Sequence, residues 1–230
     1  MKRLITALLI PFLIAVPELA FAQRGVQAIV TQQASAATAP SVAGEWAVSA
    51  YDTVVTQTLS PTAGQLLVAF TTQGTTAILA PSGCGTWTQR GATDGGFDAM
   101  WSAPITSSGS CTVTLSLAPG DDILNLWNIN TVSKTVDVAA TAVTLTGTPI
   151  TGASVTTTVA NDLVVGTCTS YANTATFTII SPFINDFNGS SGAVTVGMAH
   201  YVNVSAGAIA PSWTVTTTQG WYCGTLAVEP

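Results

Sequence analysis

Four cysteines are the residues of this chain whose type and number first suggest chemistry: Cys84, Cys111, Cys168 and Cys223. Zinc sites repeat cysteines and histidines at short spacings, whereas no Cys-x-x-Cys occurs here and His200 is the only histidine. In a secreted chain an even number of cysteines is typical of disulfides, and four allow three connectivities. We predict Cys84–Cys111, which brackets a compact region, and Cys168–Cys223, which would tie the strand near Asp162–Thr169 to the last strand.

Paired carboxylates are the next candidates for chemistry. Asp94 and Asp98 flank Gly95-Gly96, and Asp121 and Asp122 are adjacent. Glycosidases need two carboxyl groups about 5 to 9.5 Å apart, but turn-forming Asp side chains that bond to nearby backbone explain both pairs. Weak Ca²⁺ binding is the alternative at either loop, although no full ligand series is visible.

Nucleophiles and bases are missing from recognisable motifs. The sequence has neither a Gly-x-Ser-x-Gly elbow nor a Gly-rich phosphate loop. His200 lies in the alternating run Val194–Val204, where a structural or surface role is expected and no catalytic partner is identified. We therefore expect no catalytic residue, no metal site and no cofactor.

Tryptophan is a candidate for ligand binding because aromatic rings often form sugar-binding platforms. The six tryptophans are Trp46, Trp87, Trp101, Trp127, Trp213 and Trp221. Each lies in a candidate strand among apolar neighbours, so packing in the core is the expected role. Trp127 is the candidate ligand contact, together with Asp121 and Asp122, because it follows this acidic pair and is flanked by Asn125 and Asn128.

Composition excludes several classes of protein. Charged residues make up 7% of the 230 residues and hydrophobic residues 47%. So few cations cannot neutralise a phosphate backbone, and so much apolar content argues against disorder. Threonine (38) and valine (23) account for about a quarter of the chain, and β-branched residues favour strands.

The N-terminus resembles a secretory leader. Met1-Lys2-Arg3 is followed by an apolar run, Leu4–Val16, and by the small-x-small site Ala20-Phe21-Ala22. As a helix the run covers about 20 Å, less than a bilayer core of roughly 30 Å. We predict a signal peptide over residues 1–22 and a secreted chain, in the periplasm or at the cell surface, without membrane insertion. Cleavage leaves three basic and ten acidic residues, a net charge of −7.

The mature chain, residues 23–230, reads as strands separated by turn sequences. Alternation such as that of Thr112–Leu117 is typical of antiparallel strands with one buried face. Pro61–Gly64 and Asn188–Gly192 are predicted turns or loops. The pattern predicts an all-β fold, a single antiparallel β-sandwich domain of about fourteen strands. Val26–Gln33 is its first strand and a possible donor strand, with Ala34–Gly44 as a hinge or loop.

Several segments occur in an order that resembles a known class of module. They are Pro61–Phe70, Thr86-Trp87-Thr88, Ala99-Met100-Trp101, Asn161–Gly166 and Gly220-Trp221. Together they are similar to bacterial and phage extracellular jelly-roll modules with a lectin-like β-sandwich. The resemblance implies a jelly-roll-like sandwich in a surface, adhesive or virion-associated protein, and it transfers no binding residues.

The predicted function is a structural or adhesive role at a cell, filament or virion surface, without catalysis. Uncharged threonine faces suit protein–protein packing, and low charge gives little repulsion against self-association. Protein partners or further copies of the chain are therefore the expected partners. A carbohydrate-binding module is the alternative, with glycans as ligands, and a carboxylate-dependent secreted hydrolase is the second alternative. Neither nucleic acid nor a membrane is expected as a partner.

Overall fold

Strands account for the regular structure of the described residues, as the content of threonine and valine predicts. The computed structural model describes residues 38–51, 54–72, 79–93, 98–116, 121–144, 147–170, 175–191, 194–216 and 220–230. In chain order the strands are β1 (Ser41–Tyr51), β2 (Val55–Leu59), β3 (Leu66–Thr72), β4 (Thr88–Ala92), β5 (Asp98–Pro104), β6 (Cys111–Leu115), β7 (Asp121–Asn130), β8 (Val136–Thr144), β9 (Ile150–Thr151), β10 (Val155–Thr157), β11 (Asp162–Ser170), β12 (Phe177–Ile179), β13 (Ile184–Ser191), β14 (Val194–Asn203), β15 (Gly207–Ile209), β16 (Ser212–Val215) and β17 (Trp221–Val228). Their pairings are antiparallel, so the prediction of an all-β antiparallel fold is confirmed. Within these ranges, no helix has the length and hydropathy of a membrane span.

The N-terminal predictions fall largely outside the described residues. The signal peptide over residues 1–22, the strand Val26–Gln33 and residues 34–37 of the linker are among the residues not described. Residues Thr38–Pro230 form one compact unit. The predicted linker is wrong over its last part, because β1 already begins at Ser41, which lies opposite Asn130 of β7.

Two five-stranded sheets form the centre of this unit. The first sheet has the order β1-β7-β3-β5-β4 and the second has the order β13-β14-β11-β17-β8. One apolar cluster fills the space between them, with Leu66 and Val68 from the first sheet and Leu163 and Val165 from the second. The two sheets therefore face each other across a shared core.

Smaller sheets cover the outer face of each five-stranded sheet. The pair β2-β6 packs on the first sheet through a cluster that includes Leu59 and Leu126. The three strands β12-β16-β9 pack on the second sheet through a cluster that includes Phe177 and Trp221, and β10-β15 forms a further pair. Covered on both faces, β3 and β11 are buried throughout, which explains the continuous apolar run Leu66–Phe70. The described strands thus lie in five sheets, where the sequence predicted one two-sheet sandwich.

The two five-stranded sheets are built in the same way from successive parts of the chain. Residues 38–130, the N-terminal half, provide the first sheet and its cover, and residues 136–230, the C-terminal half, provide the second. When β1, β7, β3, β5 and β4 are matched to β8, β17, β11, β14 and β13, the strand orders coincide. The covering pairs β2-β6 and β9-β16 also correspond in chain order. The fold is an internal repeat, with β10, β12 and β15 added to the C-terminal half.

The strand registers repeat as well as the strand order. In the N-terminal half Val68 of β3 lies opposite Ser102 of β5, and in the C-terminal half Val165 of β11 lies opposite His200 of β14. The other residue pairs of β3 with β5 match those of β11 with β14 in the same register. The pairs of β3 with β7 likewise match those of β11 with β17. Position-by-position equivalence can therefore be assigned between the halves.

The turn before the central strand of each half repeats in detail. Gly64 has a φ of 100° and Asn161 a φ of 67°. Their N–H groups donate to the carbonyl oxygens of Ile105 and Asn203 at 2.9 and 2.7 Å, and these acceptors are themselves equivalent. Glycine and asparagine are the residues that adopt positive φ most readily, which explains their use at this position.

Each edge strand of the two central sheets contains a β-bulge, and the bulges fall at equivalent positions. The extra residue is Ala43 in β1 and Asp137 in β8, and it is Arg90 in β4 and Asp186 in β13. A bulge interrupts the ladder and changes the direction of a side chain, so it blunts an exposed edge. Three of the four bulged residues are charged.

The two edges at which the halves meet are equivalent, as a pseudo-twofold relation between the halves requires. At one edge β1 contacts β13, and at the other edge β8 contacts β4. Since β8 is the equivalent of β1 and β4 is the equivalent of β13, the two edges contain equivalent contacts. Each half uses the same inner face for the shared core. Such an interface is isologous, as in a symmetric dimer.

Three strands differ from the prediction. β9, β13 and β15 were not predicted as strands, and the predicted loop Asn188–Gly192 is wrong over Asn188–Ser191, which belong to β13. Polar residues with turn propensity are held there by pairing with β14, and the Asn188 amide is hydrogen-bonded to the backbone of Phe177. The predicted turn at Pro61–Gly64 is confirmed.

Candidate functional site at the seam between the halves

A hydrogen-bonded pair of aspartate and histidine lies at the β1–β13 seam, the edge where β1 of the first sheet contacts β13 of the second. Asp186 is the extra residue of the bulge in β13, and its Oδ1 is hydrogen-bonded to Nδ1 of His200 on the neighbouring strand β14. The side chain of Asp186 is 4% exposed and that of His200 is 21% exposed. A buried carboxylate thus fixes the orientation of a partly accessible imidazole ring, whose Nε2 lies on the side away from Asp186.

Two side chains from the other half complete this cluster. The indole N–H of Trp127 donates to Oδ2 of Asp186 at 2.9 Å. Glu45 of β1 lies opposite Trp127 in the β1–β7 register, which places it on the same inner face of the first sheet. The N-terminal half therefore supplies Trp127 and Glu45, and the C-terminal half supplies Asp186 and His200.

The neighbouring charges of the cluster act on the pKa of Glu45. Partial burial, and then the negative charge of Asp186, raise the pKa of Glu45, whereas His200 acts to lower it. A carboxyl group with a raised pKa beside an oriented imidazole is an arrangement that can accept and release protons. The seam is therefore a candidate for proton transfer or for binding a polar ligand.

The equivalent β4–β8 seam has different chemistry. There Nε of Arg90 donates to Oγ of Ser102 at 2.8 Å, in the positions that correspond to Asp186 and His200. Ala139 and Leu226 stand where the other seam has Glu45 and Trp127. The repeated fold therefore forms without an acid–histidine cluster, so fold requirements alone do not explain the cluster at the β1–β13 seam.

Sequence reasoning did not find this cluster. It assigned His200 a structural or surface role without a partner, and it did not single out Asp186. Their contact depends on a bulge and on strand pairing, for which residue spacing carries no signal. The similarity between Gly64–Val68 and Asn161–Val165 is the signal that would have revealed the repeat and directed attention to its seams.

A second pair of carboxyl groups lies at one end of the second sheet. Asp137, the bulged residue of β8, accepts hydrogen bonds from the N–H and hydroxyl of Thr158 at 2.6 and 2.7 Å. Burial acts to raise the pKa of Asp137, but these hydrogen bonds lower it on balance. Burial, a hydrogen bond with Asp137 and the charges of Asp137 and Glu229 raise the pKa of Asp162 to about 7. The protonated carboxyl of Asp162 can thus donate to the Asp137 carboxylate and anchor the turn before β11.

The candidate ligand contacts of the sequence analysis lie in β7. Trp127 is fully buried in the core between the sheets, so a ligand at the surface does not reach its ring in this structure. Asp122 is buried near the start of the strand, opposite Ala50 of β1. Asp121 lies opposite Tyr51. The structure brings these residues together on one strand without forming an exposed binding surface from Trp127.

The remaining predicted acidic loop is only partly described. Asp94 lies outside the described residues, and Asp98 is buried at the start of β5. Burial raises the pKa of Asp98 to about 7, against hydrogen bonds with Thr72 and Thr93 that act to lower it. Within the described ranges, no three His, Cys, Asp or Glu side chains are arranged to hold a metal ion.

Both predicted disulfides are confirmed. Cys84–Cys111 joins the turn before β4 to the start of β6, with Cα atoms 5.3 Å apart. Cys168–Cys223 joins directly opposite residues of β11 and β17, with Cα atoms 4.1 Å apart, and is fully buried. Two disulfides indicate an oxidising compartment. Each one lies within a single half of the chain.

No protein-family model matches the chain, and no curated protein or solved structure matches it significantly. Its function is therefore inferred from the geometry of its own faces, edges and side chains.

Proposed function

We propose that this protein is a secreted structural or adhesive module without catalytic activity, which packs through its outer faces against further copies of itself or other proteins. In this proposal the two five-stranded sheets are the layers of a jelly-roll-like sandwich, and the signal peptide over residues 1–22 directs export. The two disulfides support the oxidising compartment that such a role requires.

The observation that carries the proposal is the chemistry of the outer covering faces. On β2-β6, Thr56 lies opposite Thr114 and Thr58 lies opposite Thr112, with the hydroxyl oxygens of the second pair 3.0 Å apart. Residues alternate across the strand, and Val55 points inward and is buried. The outward side of this pair is a small, flat array of hydroxyl and methyl groups.

The corresponding cover of the other half presents the same kind of face. Thr178 of β12 lies opposite Thr214 of β16, and Ser212 of β16 lies opposite Thr151 of β9. The three threonines are exposed, while the intervening Trp213 is fully buried. These outward positions carry no ionisable side chain, so two such faces approach each other without charge repulsion.

Edge pairing is less suited to this role than face packing. Bulges interrupt all four edge strands of the central sheets, and Arg90, Asp137 and Asp186 add charge to three of them. Natural proteins use bulges and charges to prevent edge-to-edge association. Donation of the strand Val26–Gln33 to a neighbour stays a prediction, because this segment lies outside the described residues.

The test uses a charge placed on each face. Thr58→Lys and Thr178→Lys put an ammonium group on the two covers, and Thr88→Lys on the edge strand β4 is the matched control at an equally exposed threonine. Binding of the mature protein to immobilised copies of itself is measured by surface plasmon resonance. We expect both face variants to lose binding and the control to retain it. Absence of binding by the unmodified protein, or equal loss in the control, contradicts packing through these faces.

A hydroxyl-lined pocket supports the carbohydrate-binding alternative. Thr106, Ser107, Ser108 and Ser110 line it beside the Cys84–Cys111 disulfide. Hydroxyl groups can hydrogen-bond a neutral sugar. A glycan array tests this function, and binding that is lost in a Ser107→Ala/Ser110→Ala variant but kept in Trp127→Phe would favour it over face packing.

The acid–histidine cluster supports the other alternative, a carboxylate-dependent secreted hydrolase. Glu45 and the Asp186–His200 pair are the residues that would take part. Hydrolysis of chromogenic glycosides or esters that is lost in Glu45→Gln and kept in Ser102→Ala, at the equivalent seam, would establish this activity. No hydrolysis by the unmodified protein argues for the non-catalytic role.

A further inference from the structure

We infer that the inner face of each half is a docking surface whose occupant is the inner face of the complementary half, N-terminal with C-terminal. The same chain supplies this occupant in the structure, and a second copy of the chain supplies it when halves are exchanged. The protein is in this sense a tethered pseudo-twofold dimer. This inference is independent of the proposed adhesive role, which concerns the outer faces.

The edge contacts between the halves are reciprocal, as they are in a symmetric interface. β1 contacts β13 while β8, the equivalent of β1, contacts β4, the equivalent of β13. In an isologous interface, if patch i of one subunit contacts patch j of the other, then patch j of the first contacts patch i of the second. Matching bulges and matching registers show that the two surfaces share the same backbone framework.

Several buried side chains at the centre of the interface are equivalent and apolar. Leu66 corresponds to Leu163, and Met100 corresponds to Met198, because each pair occupies the same register position in its half. All four are fully buried in the cluster between the sheets. A half without its partner would expose this whole face to water, which is the property of an obligate interface.

Few links other than side-chain packing hold the halves together. Every described strand pairing lies within one half, and both disulfides do so as well. Polar contacts across the interface include Trp127 to Asp186 and Asn125 to Thr167, at 2.9 and 3.0 Å. Among the described residues the backbone passes from one half to the other once, at residues 131–135 between β7 and β8. Cutting this connection therefore converts an intramolecular interface into an association between two fragments.

The chain offers its own cleavage site in this connection. Lys134 is exposed, and apart from Lys2 in the predicted leader it is the only lysine of the sequence. Endoproteinase Lys-C applied to the folded mature protein would therefore cut between the halves. Lys134→Arg is the matched uncut control, and a variant with a flexible lysine-containing insertion after Ser133 ensures cleavage if the native turn resists the protease.

We expect the two fragments to stay associated as a 1:1 complex in native mass spectrometry. The melting temperature of the cut protein should fall with each tenfold dilution, whereas that of the Lys134→Arg control should not change. Mixing isotope-labelled and unlabelled cut protein at low concentration should give hybrid complexes with one fragment from each. A melting temperature independent of concentration, or a cut protein that loses its fold at every concentration, would overturn the inference, and neither result affects the outer faces.

Discussion

Gly224 offers a direct test of how closely the two halves pack. This residue of β17 faces the first sheet, where a Cβ atom would lie 2.4 Å from Cδ2 of Phe70 and 2.5 Å from Sδ of Met100. Carbon atoms do not approach so closely without strain, so Gly224→Ala must move a buried ring or separate the sheets. Overpacking of a core costs about 1–3 kcal/mol. We expect about 2 kcal/mol, because both neighbours are fully buried and have little space to move.

Thermal unfolding measures this effect. For a domain of this size each kcal/mol lowers Tm by about 2–4 °C, so Gly224→Ala should lower it by about 4–8 °C. Gly220→Ala is the matched control, because no described atom beyond its chain neighbours lies within 4 Å of a Cβ at that position. Combining Gly224→Ala with Phe70→Leu, which makes room, should cost less than the sum of the two single changes. Equal stability of the Gly224→Ala and Gly220→Ala variants would refute the packing described between the halves.

Three further predictions concern single interactions. Trp127→Phe removes the indole donor and leaves the buried Asp186 carboxylate with one fewer hydrogen bond, which should lower the free energy of unfolding by about 1–3 kcal/mol in urea titration; no change would contradict the bond across the seam. The pKa of Asp98 is about 7 in the fold and 3.8 as the reference value, so the folded state binds this proton more tightly and stability falls as the pH rises from about 4 to about 7. Asp98→Asn should remove the share of this decline that Asp98 contributes, worth at most about 4 kcal/mol, while Asp162, whose pKa is also about 7, keeps its own share. A pH profile unchanged by Asp98→Asn between pH 4 and 8 would show that the carboxyl of Asp98 is not held protonated. Replacing both cysteines of a disulfide by alanine should cost about 4 kcal/mol for Cys168–Cys223 and about 3.5 kcal/mol for Cys84–Cys111, since the larger loop constrains the unfolded chain more; the reverse order in chemical denaturation would contradict this reasoning.

Local patterns in the sequence were sufficient to predict much of the fold. The content of β-branched residues predicts strands, and the proline and glycine of Pro61–Gly64 predict the turn before β3. The disulfide pairing followed from the positions of the cysteines relative to candidate strands, and Cys168 indeed lies directly opposite Cys223. The strand and turn predictions depend only on residues that are close in the sequence. The disulfide prediction depends on cysteines that lie in or beside segments already predicted as strands.

Features that depend on long-range pairing could not be predicted in this way. β13 contains Asn188 and Gly189, whose turn propensity is overridden by pairing with β14. The contact of Asp186 with His200 requires a bulge, whose position is set by the whole sheet. Trp127 was singled out for its polar neighbours, but its position in the alternating pattern of β7 places the ring in the core. These neighbours, Asn125 and Asn128, are themselves buried.

The salt dependence of self-binding tests the proposed function most directly. The outer faces around Thr58 and Thr178 carry no ionisable side chain at their outward strand positions, so packing between them involves little charge–charge attraction. Raising the ionic strength to 1 M shortens the screening length to about 3 Å and suppresses contacts between exposed charges. Binding of the mature protein to immobilised copies of itself should therefore be unchanged between about 0.1 and 1 M sodium chloride. Binding that falls steeply over this range, or that is absent at low salt, would contradict adhesion through uncharged threonine faces.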